Sequence, residues 1–232
     1  MEEFAHKLME EMDVSTVFTI PILGGIGVPE SVVVSWFVMG VLVIAAILCT
    51  RNLKVIPTSR VQIAVELVVS KIYELLEDLI GPKGKRYFPY LGTVLLFLGV
   101  ANLAGLWGMK PPTKDLNITA ALAVMSICVV EYAGVRAKGP KKFLKSFAEP
   151  IPILLPINLM EIVIRPLSLC MRLFGNIVGG FVVMEMLMLA VPLLIPIPFS
   201  FYFDIFDGVL QTYVFVLLTS LFIQESIEEE TE

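Results

Sequence analysis

The stretch EPIPILLPINLMEIVIRPLSLCMRLFGNIVGGFVVMEMLMLA, residues 149–190, decides the fold. Nearly every side chain in it is apolar, yet it also holds Glu161, Arg165, Ser168, Arg172, Asn176 and Glu185. As a single helix of about 40 residues it would run about 60 Å, twice the hydrocarbon thickness of a bilayer. Such a rod cannot stand upright, so either Pro156 and Pro166 break it or it lies strongly tilted. Arg172 is its most informative residue. A guanidinium at a bilayer centre costs about 2.5–3.5 kcal/mol on insertion scales, so intramembrane arginines face a protein interior or an aqueous path. It keeps its charge at physiological pH, so it holds an anion but cannot carry a proton away.

The rest of the chain has the same character. Of its 232 residues 57% are hydrophobic and 17% charged, with a mean hydropathy of +0.85, outside the range of a soluble domain. Several apolar runs reach helical spanning length and none alternates with period two over barrel-strand lengths, so the predicted fold is an all-α membrane protein. The net charge of −5, with acids crowded at both ends, gives no nucleic-acid surface. Cys49, Cys128 and Cys170 each sit inside an apolar run without metal-ligand spacing and read as small buried hydrophobes. The one histidine, His6, lies in the polar N-terminus, leaving no histidine metal site or proton shuttle in the membrane. The first thirteen residues hold five acids and no apolar core behind basic residues, so no cleavable signal peptide is expected. That fits insertion in place, as in a bacterial plasma (inner) membrane.

Five segments follow. Residues 1–30 form a polar N-terminal segment and 31–50 a first transmembrane helix. Residues 59–80 mix apolar side chains with Gln62, Glu66, Lys71, Glu74, Glu77 and Asp78 at helical spacing, an amphipathic helix. Residues 87–135 form a transmembrane hairpin broken at Pro111-Pro112, and 149–228 a hairpin of two long tilted helices around the turn at Pro192–Pro198. About five to six helices result. The loop with Arg136, Lys138, Lys141, Lys142 and Lys145 is the densest positive cluster and is assigned to the cytoplasm, with the loops near Arg51 and Arg86. The N-terminus then lies outside and the acidic C-terminus in the cytoplasm.

At 100° per residue, Glu161, Arg165, Ser168, Arg172 and Asn176 fall within an arc of about 80°. Gly179 continues the line, and Gly175, Gly179 and Gly180 let another backbone approach. On the last helix Asp204, Asp207 and Gln211 fall within about 60° by the same wheel. They line an aqueous path or hydrogen-bond toward Arg172; Gln211 also suits an interhelical hydrogen bond, and the two aspartates suit the membrane boundary. Arg165 stands four residues after Glu161 and suits an i,i+4 pair. Arg172 has no acid three or four residues away, so its anionic partner belongs to another helix or another subunit.

Arg-Pro-Leu-Ser-Leu-Cys-Met-Arg-Leu-Phe-Gly-Asn at 165–176 resembles the signature of subunit a of F-type rotary ATP synthases. Gly-Pro-Lys-Gly-Lys-Arg-Tyr-Phe-Pro-Tyr-Leu-Gly-Thr at 81–93, Asn-Leu-Ala-Gly-Leu at 102–106, Pro-Pro-Thr-Lys-Asp-Leu-Asn-Ile-Thr at 111–119 and Glu-Pro-Ile-Pro at 149–152 are similar too. With the Gln211 region they cover residues 59–224 in the family's order. The resemblance implies a non-catalytic stator subunit with two half-channels for a proton or sodium ion against a rotating ring of c subunits. It also implies contacts with the b subunits of the peripheral stalk, the rest of the ATP synthase and the lipid bilayer, with no cofactor or metal. Arg172 matches the family's essential arginine, and Asn176 and Gln211 match positions flanking it. A fixed cation there favours the ionised form of a ring carboxylate and blocks direct passage of a cation between the half-channels. Where the family often has an acid five residues after the motif's Asn, this chain has Phe181. Glu185 follows one turn later, about 40° around the helix, and is the candidate substitute. Asp204, seven residues before Gln211, is the next candidate acid.

No phosphate-binding Gly-rich loop ending in Lys-Ser/Thr is present, so nucleotide chemistry belongs elsewhere. The alternative class is a secondary transporter binding a substrate at the midplane through Arg172. It calls for paired inverted repeats and broken helices in both halves, and neither is visible. A structural scaffold would leave Arg172 without a reason.

Overall fold

In the computed structural model, residues 16–21, 26–51, 53–57, 59–107, 109–146, 155–190, 199 and 201–228 are described; the side chains of Glu185 and Asp204 are not, and His6 and the Pro192–Pro198 turn lie outside this set. A short antiparallel hairpin, β1 (Thr16–Ile20) with β2 (Ile26–Pro29), leads into α1 (Glu30–Thr50). The expected polar N-terminal segment thus carries strand: Val17, Phe18 and Ile20 are favourable strand residues, and Pro29 closes the pair.

The amphipathic helix α2 (Arg60–Ile80) ends at Gly81, whose φ of 72° lies in the left-handed region open to glycine and whose N–H donates to the Glu77 carbonyl at 2.9 Å. Leu76 and Ile80 are buried while Val61, Ile63, Leu67 and Val68 are exposed, so only its C-terminal end docks on the core. A 3₁₀ turn, Pro82–Tyr87, leads into α3 (Phe88–Leu103), and a Pro-Pro-Thr turn into α4 (Leu116–Lys138). Asp115 caps α4 by accepting from the Asn117 N–H at 2.9 Å, and Arg136 and Lys138 suit the negative end of its dipole. The cluster at 136–145 was expected as loop. Instead α4 runs to Lys138, and after Gly139 (φ 79°) a short α5 (Pro140–Ser146) follows, with Pro140 at its first position.

Leu155–Ala190 is one continuous helix, α6, with Pro166 inside it. Its 36 residues span about 54 Å, so it crosses a core of about 30 Å only when strongly inclined. Of the two expected solutions the unbroken helix is the one adopted; proline is tolerated within apolar spans, where neighbouring helices can satisfy the freed carbonyl. Last come a π-helical turn, Tyr202–Asp207, and α7 (Gly208–Glu228). Among the described residues five helices are long and apolar enough to span a membrane, which bears out the all-α membrane fold.

The core is the meeting of α3, α4, α6 and α7, with Leu91, Leu98, Val130, Leu173, Phe215 and Ile223 all nearly inaccessible. The cysteines depart partly from expectation. Cys170 is buried and its Sγ lies 3.5 Å from Thr119 Oγ1, but Cys128 is exposed because it occupies the outward face of α4. In a spanning helix the outward face is as apolar as the core, so an apolar run does not tell the two apart.

Candidate functional site

α6 rests mainly on α4, through Leu169, Cys170 and Leu173, and meets α7 along a narrow seam. Two polar ties cross that seam. Asn176 Nδ2 donates to Gln211 Oε1 at 2.5 Å, and Arg165 Nη2 donates to Glu225 Oε1 at 2.8 Å. Gln211 is 1% exposed and its Nε2 finds no acceptor among the described residues. The same Arg165 nitrogen donates to Glu161 Oε2 at 2.8 Å, the i,i+4 pair expected from the sequence. The pair to Glu225, sixty residues away, was not expected.

Between the two ties stands Arg172. It is exposed and makes no hydrogen bond or ion pair among the described residues. Ser168, one turn earlier, is also exposed, and beside Gly175 and Gly179 no atom lies within 4 Å of where a Cβ would stand. The sequence's polar stripe therefore divides: Arg165 and Asn176 turn into the seam with α7, and Arg172 is presented outward on an open face. Gln211 is committed to Asn176 and does not reach Arg172, as the interhelical reading expected.

The wheel for the last helix needs correction. Tyr202–Asp207 is π-helical, with i→i+5 bonds and more residues per turn, so 100° per residue holds only from Gly208 onward. Asp204 cannot be set on the face of Gln211 by that wheel. Asp207 is half-buried at the end of the π turn and has no hydrogen-bond or ionic partner among the described residues. The backbone places Glu185 one turn beyond Phe181 on α6. Phe181 lies under the Lys114 ammonium, with Nζ 3.6 Å from the ring centroid, a cation–π contact from the α3–α4 turn to α6.

That turn is a junction. Asn102 donates through Nδ2 to the Gly208 carbonyl (3.2 Å) and to Thr212 Oγ1 (3.1 Å), while Thr113 Oγ1 donates to Asn102 Oδ1 at 2.9 Å. Ser31 Oγ donates to Asp115 Oδ2 at 2.5 Å, joining α1. A Cβ on Gly208 would stand 3.3 Å from Asn102 Cβ, so glycine lets α3 and α7 close up there. These bonds fix where α7 begins, and with it Gln211, one turn on.

One charged residue was missed by the sequence reading. Glu131, half-buried on α4, lies within electrostatic reach of the Arg165 guanidinium. Its signal was a lone acid within an otherwise apolar span, which is reason enough to suspect function.

The family model described as ATP synthase A chain matches residues 32–224. The ATP synthase subunit a of Moorella thermoacetica is 39% identical over 204 residues, covering 87% of this chain and 92% of its own. One from Syntrophotalea carbinolica, ATP synthase subunit a 2, is 40% identical over 217 residues, covering 91% and 92%. The protein of Propionigenium modestum named ATP synthase subunit a, sodium ion specific, is 36% identical over 219 residues, covering 88% and 75%. A match of that extent, on a bundle of five apolar spans, shows that the chain belongs to the ATP synthase subunit a family, a multi-pass stator component of the membrane sector.

Proposed function

We propose that the chain forms the ion path of the synthase with a rotating ring of c subunits, as two half-channels that Arg172 keeps apart. The observation that carries this is an exposed arginine without a partner among the described residues, held on a long helix between two polar ties. Its counter-charge is then a carboxylate on a ring helix, which docks where Gly175 and Gly179 leave the surface open. The guanidinium lowers the pKa of each arriving carboxylate, so that its ion is released to one half-channel and replaced from the other. A cation cannot cross past a fixed positive charge in a low-dielectric seam.

Asn176 and Gln211 lie on the path beside Arg172, and the unpaired Gln211 amide hydrogens suit a water there. Asp204, Asp207 and Glu185 supply acids on the outer side. Glu161, Arg165 and Ser168 line the cytoplasmic side, with the N-terminus outside and the C-terminus in the cytoplasm of a bacterial plasma membrane. The b subunits of the peripheral stalk hold the chain still, and nucleotide chemistry belongs to other subunits. The transported ion is a proton or sodium, chosen mainly by coordinating groups on the ring. A secondary transporter would enclose Arg172 around a substrate, whereas here the residue lies on an open face.

Replacing Arg172 by Ala should abolish ATP-driven ion pumping in inverted vesicles with assembly intact; normal pumping by that variant would overturn the reading. Glu185→Gln should slow ion flux, and unimpaired flux would remove Glu185 from the path.

A further inference from the structure

Arg165 is engaged more heavily than charge balance requires. Glu161 alone, on the same helix, would neutralise it. Yet Glu225 of α7 reaches the same nitrogen at the same 2.8 Å, and Glu131 of α4 lies within its electrostatic reach. The guanidinium also lies 5.1 Å from the centroid of the Phe222 ring, one turn before Glu225 on α7. Arg165 therefore grips α7 at two successive positions on one face, with a carboxylate and with a ring.

This grip matters because the seam is narrow. The Asn176–Gln211 and Arg165–Glu225 ties are separated by 11 residues on α6 and 14 on α7, about 16 and 21 Å along the two axes. Two ties at that separation hold the crossing angle of α6 and α7, and they add to the packing of Leu169, Cys170 and Leu173 on α4 in holding the rotation of α6 about its axis. Arg172 lies between them. A rotation of one residue's angle, about 100°, would swing its side chain off the open face.

We propose that Arg165 is a positioning residue, which through Glu225 locks the cytoplasmic end of α7 to α6 and so aims Arg172 at the passing ring. This rests on the ion-translocation reading above and adds to it a device outside the signature arginine. Of the two carboxylates bound to Arg165, only the one on the other helix can serve as the lock. Both are half exposed and equally distant, so Glu161 is an internal control for Glu225.

The test uses the assembled synthase in inverted vesicles, with subunit amounts normalised by immunoblot. ATP-driven pumping is measured beside the pH midpoint at which carbodiimide labels the ring carboxylate, a reaction of its protonated form. Glu225→Gln should raise the midpoint by about one pH unit, because the ring carboxylate loses a well-placed cation, and should cut pumping several-fold. Glu161→Gln, which leaves the tie to α7 in place, should leave the midpoint unmoved, whatever it does to pumping from its place on the cytoplasmic side. Phe222→Leu, which keeps every charge, should shift the midpoint in the same direction by less, and it decides the matter should the Glu225 variant not assemble. Equal midpoint shifts in Glu225→Gln and Glu161→Gln, or an unmoved midpoint in both Glu225→Gln and Phe222→Leu, would overturn the lock. Arg172→Ala separates the two ideas. A shifted midpoint there with none in the Glu225 and Phe222 variants sinks the lock alone, whereas no shift in Arg172→Ala sinks the translocation reading on which the lock rests.

Discussion

Two arginines seven residues apart on one helix have opposite surroundings. Arg165 is held by two carboxylates and a ring, whereas Arg172 is held by no partner among the described residues. The sequence already separated them, because an acid stands four residues before Arg165 and none stands near Arg172. It did not show Glu225 at Arg165, since a contact across sixty residues depends on how α6 and α7 cross. Nor did it single out Glu131, whose neighbour Arg165 lies on another helix. The Asn176–Gln211 pair permits a prediction at this scale. Asn176→Leu leaves the buried Gln211 Oε1 without its donor, beside an Nε2 that already lacks an acceptor among the described residues, and should destabilise the purified complex by about 1–3 kcal/mol, seen as a lower thermal midpoint. Asn176→Leu combined with Gln211→Leu should cost less than Asn176→Leu alone, because no polar group is then left unpaired. A double variant less stable than the single would show that the pair is not what holds Gln211.

Among the elements, apolar run lengths gave the boundaries of α1 and α4 to within a few residues, because a spanning helix must be both long and apolar, and the amphipathic spacing gave those of α2. The π turn ahead of α7 was not legible in the same way. Nothing in Tyr-Phe-Asp-Ile-Phe-Asp marks i→i+5 bonding, and a wheel that assumes regular helix carries its phase error into every residue placed from it. What fixes α7 instead is the buckle of Asn102, Thr113, Thr212 and the Gly208 carbonyl, assembled from residues 106 and 110 positions apart. Asn102→Leu removes three hydrogen bonds and leaves the buried Thr113 hydroxyl without its acceptor. It should lower stability by about 2–4 kcal/mol and reduce the amount of assembled complex. Full assembly with an unchanged thermal midpoint would show that apolar packing alone sets the start of α7.

For the whole molecule, the proposed orientation rests on the five candidate spans among the described residues and on the basic cluster at Arg136–Lys145. In a variant without native cysteines, a cysteine at Lys142 should react with a membrane-impermeant maleimide in inverted vesicles, and one at Phe18 should react only in right-side-out vesicles. Reaction of both from the same side would reverse or break the topology. The division of labour follows from this shape. α3, α4 and α7 make a packed support, and α6 leans across it with an open face that carries one unpaired cation. The central claim is that this cation meets a carboxylate on a neighbouring subunit. It is tested most directly by oxidative cross-linking of an Arg172→Cys variant to a cysteine placed one turn from the ring carboxylate. The account predicts a cross-linked pair in the assembled complex that is separated again by reduction. Failure to cross-link in a complex with normal subunit content would contradict it.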